Sequence, residues 1–109
     1  MLVRLTCRDF KEGKLNHGGL ILVMFYADWC PFCMTFKLVF EDSAKRENME
    51  FGEANISHYE DPLWEQFQIK VIPSLLIFKD GELINRKDGK PFEGLQRSDL
   101  DEIVTELRK

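Results

Sequence analysis

A chain of 109 residues carrying a net charge of −4, with no more than two basic residues in a row, argues against a general nucleic-acid binder. Hydrophobic residues are 44% and charged residues 31% of the chain, the balance of an ordinary globular protein, so a single domain over residues 1–109 is expected. Three cysteines are an odd and sparse set, unlike a disulfide-stapled secreted scaffold. With no convincing leader and a leftover thiol at Cys7, the expected compartment is the cytoplasm.

Val3–Thr6 reads as a short strand. Thr6-Cys7-Arg8-Asp9 resembles a capping box with Asp in place of Glu, opening a helix to about Leu15. A turn over Asn16–Gly19 leads into the apolar run Leu20–Ala27. That run is too short to span a membrane and suits a parallel strand covered on both faces. Pro31 fits the first turn of a helix. Cys33, Phe36, Lys37, Phe40 and Ala44 then recur at helical spacing to about Arg46. Met49–Ile56 is a second strand. Asp61-Pro62 would cap a helix through Leu63, Trp64 and Phe67, the last two being core candidates.

Val71–Phe78 is a further strand, interrupted near its start by Pro73. Asp80-Gly81 marks a hairpin to a returning strand Glu82–Arg86. Ser98 would cap a last helix to Leu107, whose apolar face is Leu100, Ile103, Val104 and Leu107. Its acidic first turn, with Asp99, Asp101 and Glu102, suits the helix dipole. The order β-α-β-α-β-α-β-β-α predicts an α/β fold with a mixed central sheet and helices on both faces.

Chemistry concentrates in Trp29-Cys30-Pro31-Phe32-Cys33. Two cysteines spaced C-x-x-C, between a strand-like and a helix-like run, are a redox signal. A helix N-terminus offers free N–H groups and partial positive charge, both favouring a thiolate. The rival readings are an inactive relic and a metal half-site; the latter lacks ligands, since only Cys7, His17 and His58 remain, without ligand-like spacing, and zinc needs about four. No metal is expected. His17 and His58 read as solvated surface residues, and Cys7 as an incidental thiol or a regulatory one.

The chain resembles the thioredoxin family. The resemblance rests on Leu5-Thr6 with Asp9-Phe10, Ile21–Val23 through Phe25-Tyr26-Ala27, Trp29-Cys30 with Cys33, Val71–Phe78, Lys79-Asp80-Gly81-Glu82, and Gly94 before the last helix. It covers essentially the whole chain. It implies the thioredoxin fold and thiol–disulfide exchange. Cys30 would be the exposed nucleophile and Cys33 the buried resolving thiol, with their disulfide as the redox group and no other cofactor. Ile72-Pro73 would be a cis peptide facing the site. Trp29, Pro31, Phe32, Ile72, Pro73 and Gly94 would line a shallow groove for extended substrate segments. The implied partners are disulfide-containing proteins and a separate reductase, with no nucleic acid or membrane, and the protein acting as a monomer.

The chain also departs from the family. The family's buried acid, six positions before the nucleophile, is here Met24. Glu53, near the family's usual lysine, is a candidate proton-transfer aid to Cys33; the alternative is a strand-edge or solvated carboxylate. Pro31-Phe32 resembles the glutaredoxin dipeptide, which implies a couple more oxidising than the thioredoxin value of about −270 mV. Leu38 replaces the proline that commonly kinks the active-site helix. Two other functions stay open on these residues: a disulfide isomerase or oxidase, and a non-catalytic peptide-binding module.

Overall fold

In a computed structural model describing residues 1–108, the apolar run becomes the central strand. The elements are β1 (Leu2–Leu5), β2 (Phe10–Lys11), β3 (Lys14–Leu15), β4 (Leu20–Tyr26), α1 (Pro31–Arg46), β5 (Glu50–Asn55), α2 (Leu63–Gln66), β6 (Ser74–Lys79), β7 (Glu82–Asp88) and α3 (Arg97–Leu107). The main sheet has the order β1-β5-β4-β6-β7. β1, β5 and β4 run parallel; β6 and β7 are antiparallel additions. This is the expected mixed sheet.

β4 is paired on both edges, and Ile21 through Phe25 are fully buried, which explains the unbroken apolar run. Its side chains alternate between two cores. Leu22, Met24 and Tyr26 face α1, where Phe36 and Phe40 are buried and Phe40 packs on Phe51 with centroids 5.0 Å apart. α3 lies beside α1 on this face and buries Leu100, Ile103 and Val104. On the opposite face Phe25 and Phe78 meet Phe10 and Phe67, four rings with centroids 5.4–5.8 Å apart in tilted or edge-on pairs.

Several local expectations change. The helix from Cys7 to Leu15 does not form. The capping box is present, with Thr6 N donating to Asp9 Oδ2 at 2.7 Å, but it closes only a 3-10 turn over Cys7–Asp9. Glu12 and Gly13 take left-handed φ values of 52° and 80°, which end any helix and fold β2 back on β3. β6 starts at Ser74 rather than Val71, because Pro73 has no N–H for the ladder. The Ile72-Pro73 peptide is cis. α2 is a single turn whose N-cap is Pro62, not Asp61; Asp61 sits one residue earlier, where its Oδ1 accepts from Leu63 N at 2.9 Å across the turn that leads in. α3 starts earlier than expected: Gln96, not Ser98, is the cap, and its N–H donates to Asp99 Oδ2 at 2.8 Å. α1 matches its predicted span, is continuous through the exposed Leu38, and has Pro31 in its first turn.

The Phe10–Phe25–Phe67–Phe78 cluster predicts the largest truncation cost in the molecule. Phe78→Ala should lower unfolding free energy by about 3–5 kcal/mol in urea titrations, against under about 0.5 kcal/mol for Leu38→Ala.

Candidate active site

β4 delivers the chain through Ala27 to the start of α1, and Cys30 is the N-cap of that helix. Its sulfur accepts from Cys33 N at 3.2 Å and lies 3.7 Å from Ile72 O. The sequence resemblance implied an exposed nucleophile, and here the structure differs. Cys30 is only 6% exposed and Cys33 wholly buried, both as free thiols. The Cys30 thiol is tucked between the first turn of α1 and the Ile72 carbonyl, so that just its rim is open. Exposure falls instead on the flanking rings, Trp29 at 48% and Phe32 at 44%.

Burial is the first cause that pushes the Cys33 thiol far above its ordinary range. The hydrogen bond to the Cys30 thiol pushes it further, and a backbone hydrogen bond at Ala27 opposes without offsetting. Cys33 therefore favours the neutral thiol in this state, and resolution of a mixed disulfide requires its proton to leave.

The groove residues gather around the pair. Ile72 is buried and its carbonyl faces Cys30. Gly94 has φ +69°, and a Cβ there would lie 2.8 Å from the Cβ of Phe32, so only glycine lets the loop before α3 approach α1 this closely. Gly89 has the same role against Pro73: a Cβ would stand 2.4 Å from the Pro73 oxygen, and Gly89 N donates to Ser74 Oγ at 3.3 Å. The sequence reading missed Gly89; a glycine ending a strand opposite Pro73 was the available signal. Pro31 opens α1 beside Cys30. The larger cavities, about 470 Å³ each, lie elsewhere, one along β1 and α1 and one around Arg8–Asn16.

Glu53 is not the solvated carboxylate of the alternative reading. β5 is an interior strand, and Glu53 is 1% exposed. It stands in register with Met24, on the α1 side of the sheet. The acid therefore sits one strand across from the position where the family places one. Lys37 Nζ lies 3.8 Å from Glu53 Oε1 and 2.9 Å from Glu41 Oε2, bridging the two carboxyls. With both acids ionised, neither Glu53 oxygen has a hydrogen-bond donor in reach; a proton on Glu53 supplies one toward Glu41. Burial first, then Glu41, raise the Glu53 pKa to about 7, against the pull of Lys37 and Arg4. Glu53 is not among the groups that perturb Cys33; its neighbours are Lys37, Glu41, Arg4 and Tyr26.

The remaining candidates are dispersed. His17 is partly buried and pairs through Nε2 with Glu50 at 3.0 Å, rather than standing free in solvent; His58 is exposed. Cys7 is partly buried and far along the chain from the pair. Phe67 is core, but Trp64 is only half-buried and stacks on Trp29 with centroids 6.4 Å apart. Among the described residues no group of three His, Cys, Asp or Glu side chains is placed to hold a metal ion. No helix among them is long and apolar enough to cross a membrane.

The order of elements and the mixed five-stranded sheet agree with what comparison finds. The thioredoxin family model matches residues 1–106. The chain belongs to the thioredoxin family. It is 34% identical to a thioredoxin of Buchnera aphidicola over 81% of this chain and 82% of that one. It is 36% identical to a Chlamydia caviae thioredoxin over 65% and 70% of the two chains. The solved structure of Fasciola hepatica thioredoxin superposes with a TM-score of 0.68 at 28% identity, covering 84% of this chain and 83% of the other. Membership in this thioredoxin family supports thiol–disulfide oxidoreductase chemistry in general.

A raised carboxyl pKa fixes the sign of a pH dependence. The Glu53 proton contributes stability in full below about 4.5, and this is lost as pH rises through about 7. The interval between those values corresponds to a ceiling on the order of 3 kcal/mol. Glu53→Gln should therefore gain stability over the parent at pH 8.5 relative to the difference at pH 4, in urea titrations at the two pH values. An unchanged difference would mean that Glu53 does not hold its proton in the folded state.

Proposed function

We propose that this protein reduces disulfides in protein substrates by dithiol–disulfide exchange, with Cys30 as nucleophile and Cys33 as resolving thiol. The observation that carries this reading is the Cys30–Cys33 geometry: a helix N-cap sulfur receiving the N–H of the second cysteine, beneath a groove floored by Ile72 and Pro73. That N–H holds the Cys30 sulfur at the helix start, and the thiolate is the form that reacts. The thiolate attacks one sulfur of the substrate disulfide, forming a mixed disulfide and releasing the other substrate sulfur as a thiolate that takes up a proton. Cys33 loses its proton and attacks the Cys30 sulfur, which releases the second substrate thiol and leaves the Cys30–Cys33 disulfide. Two electrons pass to the substrate, and a separate reductase returns the pair to dithiol.

Trp29, Pro31, Phe32, Ile72, Pro73 and Gly94 form the surface that would receive an extended substrate segment. The Ile72 carbonyl, 3.7 Å from the Cys30 sulfur, would pair with that segment in the manner of strand addition. The pair itself is the only redox group the reaction needs, with no other cofactor. The protein acts as a monomer in the cytoplasm.

Cys33→Ser should trap a mixed disulfide with an oxidised protein substrate, seen as a mass increase reversed by dithiothreitol. Cys30→Ser should abolish turnover. Absence of any trapped adduct would favour a non-catalytic binding module over an enzyme.

We infer that Glu53 assists the resolving step as the eventual acceptor for the Cys33 proton, reached through water rather than by contact, since its own neighbours are Lys37, Glu41, Arg4 and Tyr26. Its burial on the α1 face, beside Met24 and near neutrality, supports this role. Glu53→Gln should slow mixed-disulfide resolution at pH 7 by roughly tenfold or more, the ordinary size of a general-base contribution, and flatten its rise with pH between about 6 and 8. An unchanged rate and profile would remove Glu53 from the mechanism.

A further inference from the structure

Three aromatic rings from separate segments assemble beside the cysteine pair. Trp29 comes from the β4–α1 junction, Tyr59 from the loop after β5, and Trp64 from α2. Ring centroids are 5.1 Å apart for Trp29–Tyr59, 6.0 Å for Tyr59–Trp64 and 6.4 Å for Trp29–Trp64, with planes within 28° of parallel. Both indoles are pinned to one loop. Trp29 Nε1 donates to Ser57 O at 2.7 Å; Trp64 Nε1 lies 3.0 Å from Ile56 O and 3.1 Å from His58 O. The stack is built and held, yet Tyr59 is 73% exposed. A ring so open contributes little to the core, and its fixed position lowers the entropy cost of binding something on it.

The charged residues adjoining the stack in sequence are acidic, with His58 beside Tyr59 as the one imidazole. Asp28 precedes Trp29, and Glu60 and Asp61 follow Tyr59. Among the described residues none of these three carboxylates forms an ion pair within 4.0 Å with a Lys or Arg. Asp28 accepts from Asn55 Nδ2 at 3.1 Å, and Asp61 from Leu63 N at 2.9 Å. These neutral donors orient the carboxylates without cancelling their charge. An aromatic face with uncompensated carboxylates at its rim complements a flat cation that stacks and pairs at once. The guanidinium group does both; an ammonium is a hydrated point charge and fits less well.

We propose that the Trp29–Tyr59–Trp64 stack with Asp28, Glu60 and Asp61 is a specificity site for an arginine-bearing segment flanking the disulfide of a protein substrate. This rests on the disulfide-reductase reading. Trp29 is shared by the stack and the groove, so an occupied stack holds the adjoining chain across Cys30. Binding energy at the arginine then appears as faster reaction of the neighbouring disulfide.

The test uses disulfide peptides identical except for Arg, Gln or Glu within three positions of the cysteine. Single-turnover reduction should favour Arg over Gln by roughly fivefold and Arg over Glu by roughly tenfold or more at low ionic strength, with the Arg–Glu gap shrinking at about 0.5 M salt. Tyr59→Ala and Glu60→Gln should each lower the Arg preference, while Tyr59→Phe, which keeps the ring, should retain it. Equal rates for the Arg and Gln peptides overturn the proposal. A parallel titration follows tryptophan fluorescence with the same peptides carrying Ser for Cys. Tighter binding of the Arg peptide without reduction of any disulfide supports the surface and sinks the redox reading. Reduction with no Arg preference in either measurement sinks the surface alone.

Discussion

The structure depends on the junction where the buried strand β4 becomes the helix α1. β4 is hydrogen-bonded on both edges and packed on both faces, so its end is firmly placed. Cys30 caps the helix a few residues on, and its sulfur, the Cys33 N–H and the Ile72 carbonyl are mutually fixed as a consequence. A reactive thiol at the tip of a mobile loop would sample many orientations. Here the sheet has already removed that freedom.

The remaining site residues are carried to this junction by the sheet order. β6 is antiparallel to β4, so the segment before it, Val71–Pro73, arrives at the same end where β4 releases Cys30. β7 returns beside β6 and ends at Asp88, which brings Gly89 against Pro73; the loop that follows brings Gly94 against Phe32. These close approaches are possible because neither glycine carries a Cβ. The groove is thus made of backbone held near the cysteines, with Trp29 and Phe32 as its exposed apolar walls.

Electrostatics divide the molecule in two. Beneath the sheet's α1 face, Glu53, Lys37, Glu41 and Arg4 form a partly desolvated network in which one carboxyl is driven toward its neutral form. On the outer side, Asp28, Glu60 and Asp61 stay in contact with water around an aromatic stack. The first arrangement governs a proton inside the protein, and the second presents charge to whatever approaches Cys30.

What the sequence determined by itself was everything set by local pattern. The unbroken apolar run pointed to a doubly covered strand, Pro31 to a helix start, and C-x-x-C at that boundary to a candidate redox pair. That Ile72-Pro73 faces the pair was implied by the family resemblance, not by local pattern. Local pattern misjudged Cys7–Leu15, where a correct capping box was overruled by left-handed residues at Glu12 and Gly13 that fold a hairpin. It placed Trp64 against the core, where the ring does pack in part, but a helical apolar position does not say that the ring also meets Trp29 and Tyr59. Only the tertiary structure decided the burial of Glu53, its bridge through Lys37 to Glu41, the shielding of Cys30 and the assembly of Trp29, Tyr59 and Trp64. Each of these joins residues distant in the chain, and distance between side chains is set by the sheet order, which no local periodicity encodes.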